Sequence, residues 1–422
     1  MEYLKKPEVF SKCRDKDIVS QRVSTIIRRI QEGGMNELKR ISKEIDNYSG
    51  PLMISRDAIR AAADKLPSDL KRSIILSIEN IRSFHRNQMN IFSEIDDEPV
   101  SGLRRGMRFL PVNTSGCYIP GGRYPLPSTV LMNVIPAQEA GVKNIIISSP
   151  PSGDDCIDPV ILATASLAGI DNIFAIGGAQ AIAAMTFGTG DIPKCDMITG
   201  PGNVYVTEAK RQLYGQVGID SLAGPSEVMI VADEQADSYC LAMDLMAQAE
   251  HEPLAKAVLF TTDRDLGLSA IEDVDKICQT APTGNIMRQS WDNYGTVIFG
   301  KQEEGISFAN EMAPEHLQIC MTNARELLMR FESYGAAFLG YSTPVPYGDY
   351  IAGTNHVLPT GGSARFSSGL WTGSFMKALT SLEISGPVKN KLTDAGINFA
   401  EEEGLWAHGK SLQLRKGKDN SC

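Results

Sequence analysis

Residues 171–215 read DNIFAIGGAQAIAAMTFGTGDIPKCDMITGPGNVYVTEAKRQLYG. The apolar run at 173–176 meets Gly177-Gly178 and passes into an Ala-rich helical stretch. The run at 197–199 meets Gly200-Pro201-Gly202 and passes into a second one. Strand, glycine turn and helix, repeated in succession, is the pattern of parallel βαβ units, because a parallel strand is reached only by a long crossover. The pattern extends in both directions: VKNIIISSPP at 142–151 precedes it, and VMIVADEQADSYCLAMDLMAQAEH at 228–251 follows. Beyond these come KAVLFTT at 256–262, GTVIFG at 295–300, HLQICMTNARELLMRF at 316–331 and AAFLGYSTP at 336–344. Two series of this kind predict an α/β protein with two doubly wound modules.

The first hundred residues differ. SDLKRSIILSIENIRSFHRNQ, 68–88, sets Leu70, Ile74, Ile75, Ile78 and Ile81 at three- and four-residue spacings, which predicts an amphipathic helix and a helical N-terminal segment. At the other end, 388–409 reads as helical and SLQLR at 411–415 as a short strand. This tail is expected to be a small separate domain or an arm that reaches a partner subunit.

A chain of 422 residues exceeds one ordinary core, and roughly 150 residues per domain points to two or three domains. The 51 acidic side chains outnumber 41 basic ones without any basic stripe, which argues against nucleic acid as a partner. No apolar run is long enough for a membrane span, and the start MEYLKKPEVFSKC lacks the apolar stretch of a secretory signal, so a cytoplasmic location is expected. Cysteines at 13, 117, 156, 195, 240, 278, 320 and 422 form no CxxC pair and read as reduced thiols.

Several segments carry chemistry. Gln248 and His251 lie in DSYCLAMDLMAQAEHEP, where Asp237 or Ser238 can cap a helix and Pro253 helps to end it. On a helix the two would stand about 60° apart, so that an amide oxygen and an imidazole could touch one metal; a solvated polar face is the commoner reading of such a pair. Glu315 and His316 follow Ala-Pro, which pushes Ala313 out of helical geometry and presents an acid beside an imidazole, a combination suited to proton transfer. The alternative is a packed imidazole with a glutamate supporting the next element. Asp349 stands in the irregular VPYGDYIAGTNHVLP, available as a ligand or engaged in an Asx-turn. His356, seven residues on, reads as a structural or supporting group. Glu403 and His408 belong to FAEEEGLWAHGK, which by itself reads as an exposed helix end with Trp406 as a docking anchor. No GxGxxG follows a strand, yet CYIPGGRYP, AIGGAQ and TGPGNVY are glycine loops, and the latter two offer helix N-termini to phosphate.

Over about 15–415 these segments resemble histidinol dehydrogenases. The resemblance is carried by GCYIPGGRYPLPSTVLMNVIPAQEAGV, GGAQAIAAMTFGT, GPGNVYVTEAKRQLYGQVGIDSLAGPSEV, AQAEHEP, APEHLQI and GDYIAGTNHVLPTGG. It implies zinc ligands at Gln248, His251, Asp349 and His408, proton transfer by Glu315 and His316, and NAD contacts at Tyr118, Gln180 and Asn203. It places substrate contacts at Ser226, Gln248, His251, His316, Asp349, Glu403 and His408. It further implies oxidation of histidinol through the aldehyde to histidine with two NAD, one zinc ion per subunit, and a homodimer whose swapped C-terminal domains lend Glu403 and His408. The expected division is an N-terminal arm at 1–15, a discontinuous Rossmann-like domain at 16–117 and 228–370, a second at 118–227, and a swapped domain at 371–422. Trp406, Gly409 and the GGRYPLP loop depart from the commoner family pattern, which leaves another small polar alcohol, such as a sulfonated propanediol, as the alternative substrate.

Overall fold

The computed structural model describes residues 1–8, 16–121, 124–152 and 156–417. Three sheets organise the chain. One has five parallel strands in the order Ile173–Ala175, Asn144–Ser149, Thr114–Tyr118, Met197–Thr199, Gly218–Ile219. A second has six strands in the order Glu2–Lys5, Thr296–Phe299, Lys256–Thr261, Glu227–Ala232, His316–Cys320, Ala336–Leu339. All of these are parallel except the first, which adds antiparallel at the edge. The third is antiparallel and joins Met376–Ile384, Leu103–Pro111 and Ile95–Val100. The fold is α/β.

Thr114–Tyr118 and Glu227–Ala232 are buried at every residue, as strands covered on both faces must be. Each stands where its sheet reverses direction, so the chain runs outward to one side, returns, and continues to the other. Short polar residues set the helix entries: Asp237 accepts from the Cys240 N–H at 2.9 Å and opens Ser238–Ala249, and Asp158 does the same for Pro159–Leu167 through Val160.

The N-terminal helices Lys16–Asp46, Arg56–Asp64 and Ser68–Gln88 overturn part of the expected division. Val23, Ile30, Leu38 and Ile41 pack with Ile146, Ile182 and Ile198, and Ile74, Ile78 and Ile81 with Val130 and Ile147. Residues 16–88 and the strand Thr114–Tyr118 therefore build onto the five-stranded sheet and 95–111 onto the antiparallel one, while helix Ser68–Gln88 makes contact with 228–370 and the start of 371–422 at 350–372. Periodicity shows that a helix has an apolar face, but not which distant sheet covers it. The two ends of the chain differ in how they meet expectation. The arm expected at 1–15 carries the edge strand Glu2–Lys5, and its residues 9–15 lie outside the described residues. The SLQLR run continues the helix Trp406–Gln413 into a turn, because Leu412 packs against Gly396 of the neighbouring helix Val388–Glu402.

One glycine is demanded by the backbone. Gly200, at φ 109°, lies so close to the neighbouring strand that a Cβ would stand 1.9 Å from the Tyr118 carbonyl oxygen. Gly200→Ala is expected to cost about 2–4 kcal/mol of stability from strain and overpacking. Urea unfolding measures it, and a loss below about 1 kcal/mol would contradict this packing.

Candidate active site

The first site forms at the carboxyl ends of the five-stranded sheet, where its order reverses between Thr114–Tyr118 and Met197–Thr199. A cavity of about 680 Å³ opens there, and Tyr118, Gln180 and Asn203 all line it. Asn203 caps the helix Val204–Leu213 by accepting from the N–H groups of Tyr205 (3.0 Å) and Val206 (3.2 Å). The helix Gly178–Phe187 has no side-chain cap, and its Gly178 N–H donates to the Tyr118 hydroxyl at 3.1 Å. An uncapped helix N-terminus at a sheet's reversal point suits a dinucleotide pyrophosphate. The turn between strand and cap is gripped at one peptide: the Gly200 N–H donates to Asp220 Oδ2 (2.7 Å) and its carbonyl accepts from Lys210 Nζ (2.5 Å). Lys210 and Asp220 are themselves a buried ion pair at 2.6 Å. Arg22 and Asp46, from the N-terminal helix, also line the cavity. Sequence reading missed both, because nothing local ties them to glycine loops more than a hundred residues away.

The second site lies at the amino ends of the six-stranded sheet. Ala313 ends the helix Gln302–Met312 in the left-handed region at φ 48°, and Pro314 leads into a strand whose first residue is His316. The Ala-Pro pair thus marks a strand entry. Glu315 Oε2 accepts from the Glu227 N–H at 2.8 Å and lies 3.6 Å from His316 Nδ1. Nδ1 lies 3.2 Å from the Glu227 carbonyl oxygen, which can only accept, so Nδ1 carries the proton. Nε2, which holds the lone pair only in the neutral imidazole, is buried without a hydrogen-bond partner and lies 3.7 Å from Asp349 Oδ1.

Burial pushes the Glu315 carboxyl up to about 7, against the pull of His316 and the Glu227 N–H. Burial alone would lower His316, but Glu315, Asp349 and the Glu227 carbonyl outweigh it and raise the imidazole to about 9. The same imidazole, with His356 and His251, outweighs burial at Asp349 and holds that carboxylate below its usual value.

Asp349 sits in the short helix Val345–Tyr350, and the following loop is fastened to the other module. Ser77 donates to the Tyr350 carbonyl (2.6 Å) and Asn80 to that of Ile351 (2.8 Å), both from the helix Ser68–Gln88. His356 Nδ1 bonds the Asp349 carbonyl at 2.9 Å and Nε2 lies 3.3 Å from the Thr129 hydroxyl, the supporting placement expected of it. Gln248 is 4% exposed, which excludes a solvated face for it. His251 corrects a second detail: the helix ends at Ala249, so the imidazole stands beyond it and not on its face. His251 is open to solvent on one side, yet desolvation lowers its pKa while the Asp349 charge pulls the other way. Ser226 immediately precedes Glu227 at this edge.

Glu403 and His408 are exposed on the C-terminal helices. Among the described residues no group of three His, Cys, Asp or Glu side chains is arranged to hold a metal ion. His251, Asp349 and His316, with its unpartnered Nε2, lie close enough to act on one another's charges, and Gln248 is buried three residues before His251. That nitrogen–oxygen set, without thiolates, fits zinc better than a softer ion.

The sequence and the fold find counterparts among known proteins. A family model described as Histidinol dehydrogenase matches residues 11–416. The chain belongs to the histidinol dehydrogenase family. The histidinol dehydrogenase of Prochlorococcus marinus strain MIT 9312 is 42% identical over 395 residues, 93% of this chain and 89% of that protein. That of Gluconobacter oxydans is 41% identical over 409 residues, 96% and 94% of the two chains. A crystal structure of histidinol dehydrogenase from Elizabethkingia anophelis superposes with a TM-score of 0.90 at 37% identity, covering 96% of this chain and 93% of that one. The activity is accordingly that of histidinol dehydrogenase, an NAD-dependent oxidation in histidine biosynthesis.

Asn203→Ala should lower stability by about 1 kcal/mol through loss of the helix cap. Thermal unfolding reads the change, and an unaltered midpoint would mean that the cap contributes nothing.

Proposed function

We propose that the chain converts L-histidinol to L-histidine through histidinal with two NAD and one zinc ion per subunit, in a homodimer with shared sites. Three donors, Gln248, His251 and Asp349, would come from one subunit, and His408 of the partner subunit would be the fourth. The exposed tail supports the sharing: Phe399 is 72% exposed and Trp406 78%, on helices that also present His408 to solvent. Large apolar residues left open together suit a partner surface. Tyr118, Gln180 and Asn203 would hold NAD in the cavity at the sheet reversal, and the strand orders support reading the two parallel sheets as Rossmann-like domains. Ser226 and Glu403 of the partner subunit would add contacts to the substrate, beside the metal donors and His316.

When bound, zinc supplies polarisation of the carbinol oxygen and the nicotinamide supplies a hydride acceptor. The chain's own groups move the protons. The observation that carries the reading is the buried, unpartnered Nε2 of His316 beside Asp349, which becomes a base at the candidate donor set once the imidazole is neutral. His316 would take the carbinol proton through Nε2, while its Nδ1–H stays bound to the Glu227 carbonyl. Glu315 would take a proton from the water that adds to the aldehyde in the second oxidation. A carboxyl held near 7 is half ionised at neutral pH, as a base for that step requires.

The central test is initial-rate NADH formation from histidinol with and without a metal chelator. Turnover should vanish with the chelator and return with zinc; turnover untouched by metal removal would end the zinc reading. The division of labour separates the two oxidations. Glu315→Gln should spare the first hydride transfer and slow histidinal oxidation about 10²–10⁴-fold, whereas His316→Asn should slow the first by a similar factor. Equal losses in both steps, followed by stopped-flow absorbance, would contradict the assignment.

The sign of the pH effect follows from the raised His316 pKa. Only the neutral imidazole is a base, so the first oxidation should accelerate as pH rises past the ordinary histidine range. Glu315→Gln removes the largest influence holding the proton on, and the rise should move to lower pH in a single-turnover profile; an unmoved profile would show that Glu315 does not act on His316. Subunit sharing has its own measurement. Mixed refolding of His251→Ala and His408→Ala chains, each inactive alone, should restore about a quarter of wild-type activity, since half the dimers carry one intact site. No recovery would place all four donors in one subunit.

A further inference from the structure

Among the described residues the cofactor cavity has one carboxylate in its wall, and that group comes from outside the sheet it serves. Asp46 ends the helix Lys16–Asp46 and is half-buried at the cavity. Its Oδ2 accepts from Gln180 Nε2 at 3.0 Å, and Gln180 lies in the first turn of the uncapped helix Gly178–Phe187. In a dinucleotide, the group covalently next to the pyrophosphate is a ribose. A pyrophosphate at this helix N-terminus therefore brings a ribose diol within reach of the Asp46–Gln180 pair. A carboxylate accepts hydrogen bonds from a diol and repels a phosphate in its place.

The same cavity carries a cation, Arg22, so the balance must be decided. Its guanidinium is exposed and donates to the Tyr205 hydroxyl at 3.3 Å, where water screens its field. Asp46 is desolvated enough that burial raises its pKa, with Gln180 pulling the other way. A charge in that setting acts roughly fourfold more strongly at equal distance than one in water. The carboxylate dominates.

We propose that Asp46, held by Gln180, is the residue that accepts the ribose hydroxyls of NAD and excludes a cofactor bearing a 2′-phosphate. This rests on the reading of the cavity as the NAD site. The absence of GxGxxG then has a structural counterpart: the acid that normally follows that motif within one βαβ unit is delivered here by an upstream helix.

Equilibrium titration of the purified full-length protein with NAD and with NADP, followed by calorimetry, tests this without turnover. Wild type should bind NAD at least about 100-fold tighter than NADP, and Asp46→Asn should narrow that ratio below about 10, mainly by tightening NADP. Asp46→Ser, which removes the charge and the bulk together, should narrow it as well. Asn203→Ala is the control for the cavity and should weaken NAD about tenfold in any case. If it does, and both Asp46 variants keep the wild-type ratio within about twofold, the selectivity proposal falls alone. If Asn203→Ala leaves NAD binding unchanged, the cavity is not the cofactor site and both readings fall.

Discussion

The peptide and side chain of Glu227 hold the acid–base site together. Its N–H fixes Glu315 and its carbonyl fixes His316, so one residue sets the spacing of the acid and the imidazole and the tautomer of the latter. The side chain is fully engaged too: Oε1 accepts from the Gly361 N–H at 2.8 Å and Oε2 pairs with Lys256 at 3.2 Å. Being the first residue of the central strand, Glu227 shares the rigidity of the sheet core behind it. Losing Lys256 or Gly361 as partners would leave a buried charge poorly compensated, which costs far more than the pairing itself yields.

The two sites use opposite edges of their sheets. Glycine turns at the carboxyl ends of the five-stranded sheet form the cavity proposed for NAD, whereas Glu315 and His316 stand at the amino ends of the six-stranded one. The segment 220–226 leads directly from the last strand of the first sheet to Glu227. Asp220, at the start of that segment, grips Gly200 with Lys210. One short link therefore runs from the clamp on the Gly200 turn to the residue that orients Glu315 and His316.

Much of this is legible in the sequence, and what escapes shares one cause. Strand-turn-helix order, the Asp237 cap and the grouping of Tyr118, Gln180 and Asn203 follow from local pattern or from long family motifs, and the structure brings those three to one cavity. The sheet that covers Ser68–Gln88, the arrival of Asp46 at the cavity and the role of Glu227 depend on contacts between distant segments. Periodicity carries no record of these. Gln248 reads as a surface group in the sequence because it is polar and stands opposite the apolar face of Ala242, Leu245, Met246 and Ala249, whereas the structure buries it and exposes Met243 and Tyr239.

Asp349 owes its place to helix Ser68–Gln88, which belongs to the other module. Ser77 and Asn80 hold the carbonyls just after it, and Gly353 runs so close that a Cβ would stand 2.6 Å from the Asn80 carbonyl oxygen. Any hinge motion that parts the two modules must therefore carry this carboxylate with one wall and Gln248 with the other. Were these side chains to hold the ion proposed above, breathing of the cleft and loss of that ion would be a single equilibrium, and the rate at which the ion exchanges would keep time with the opening.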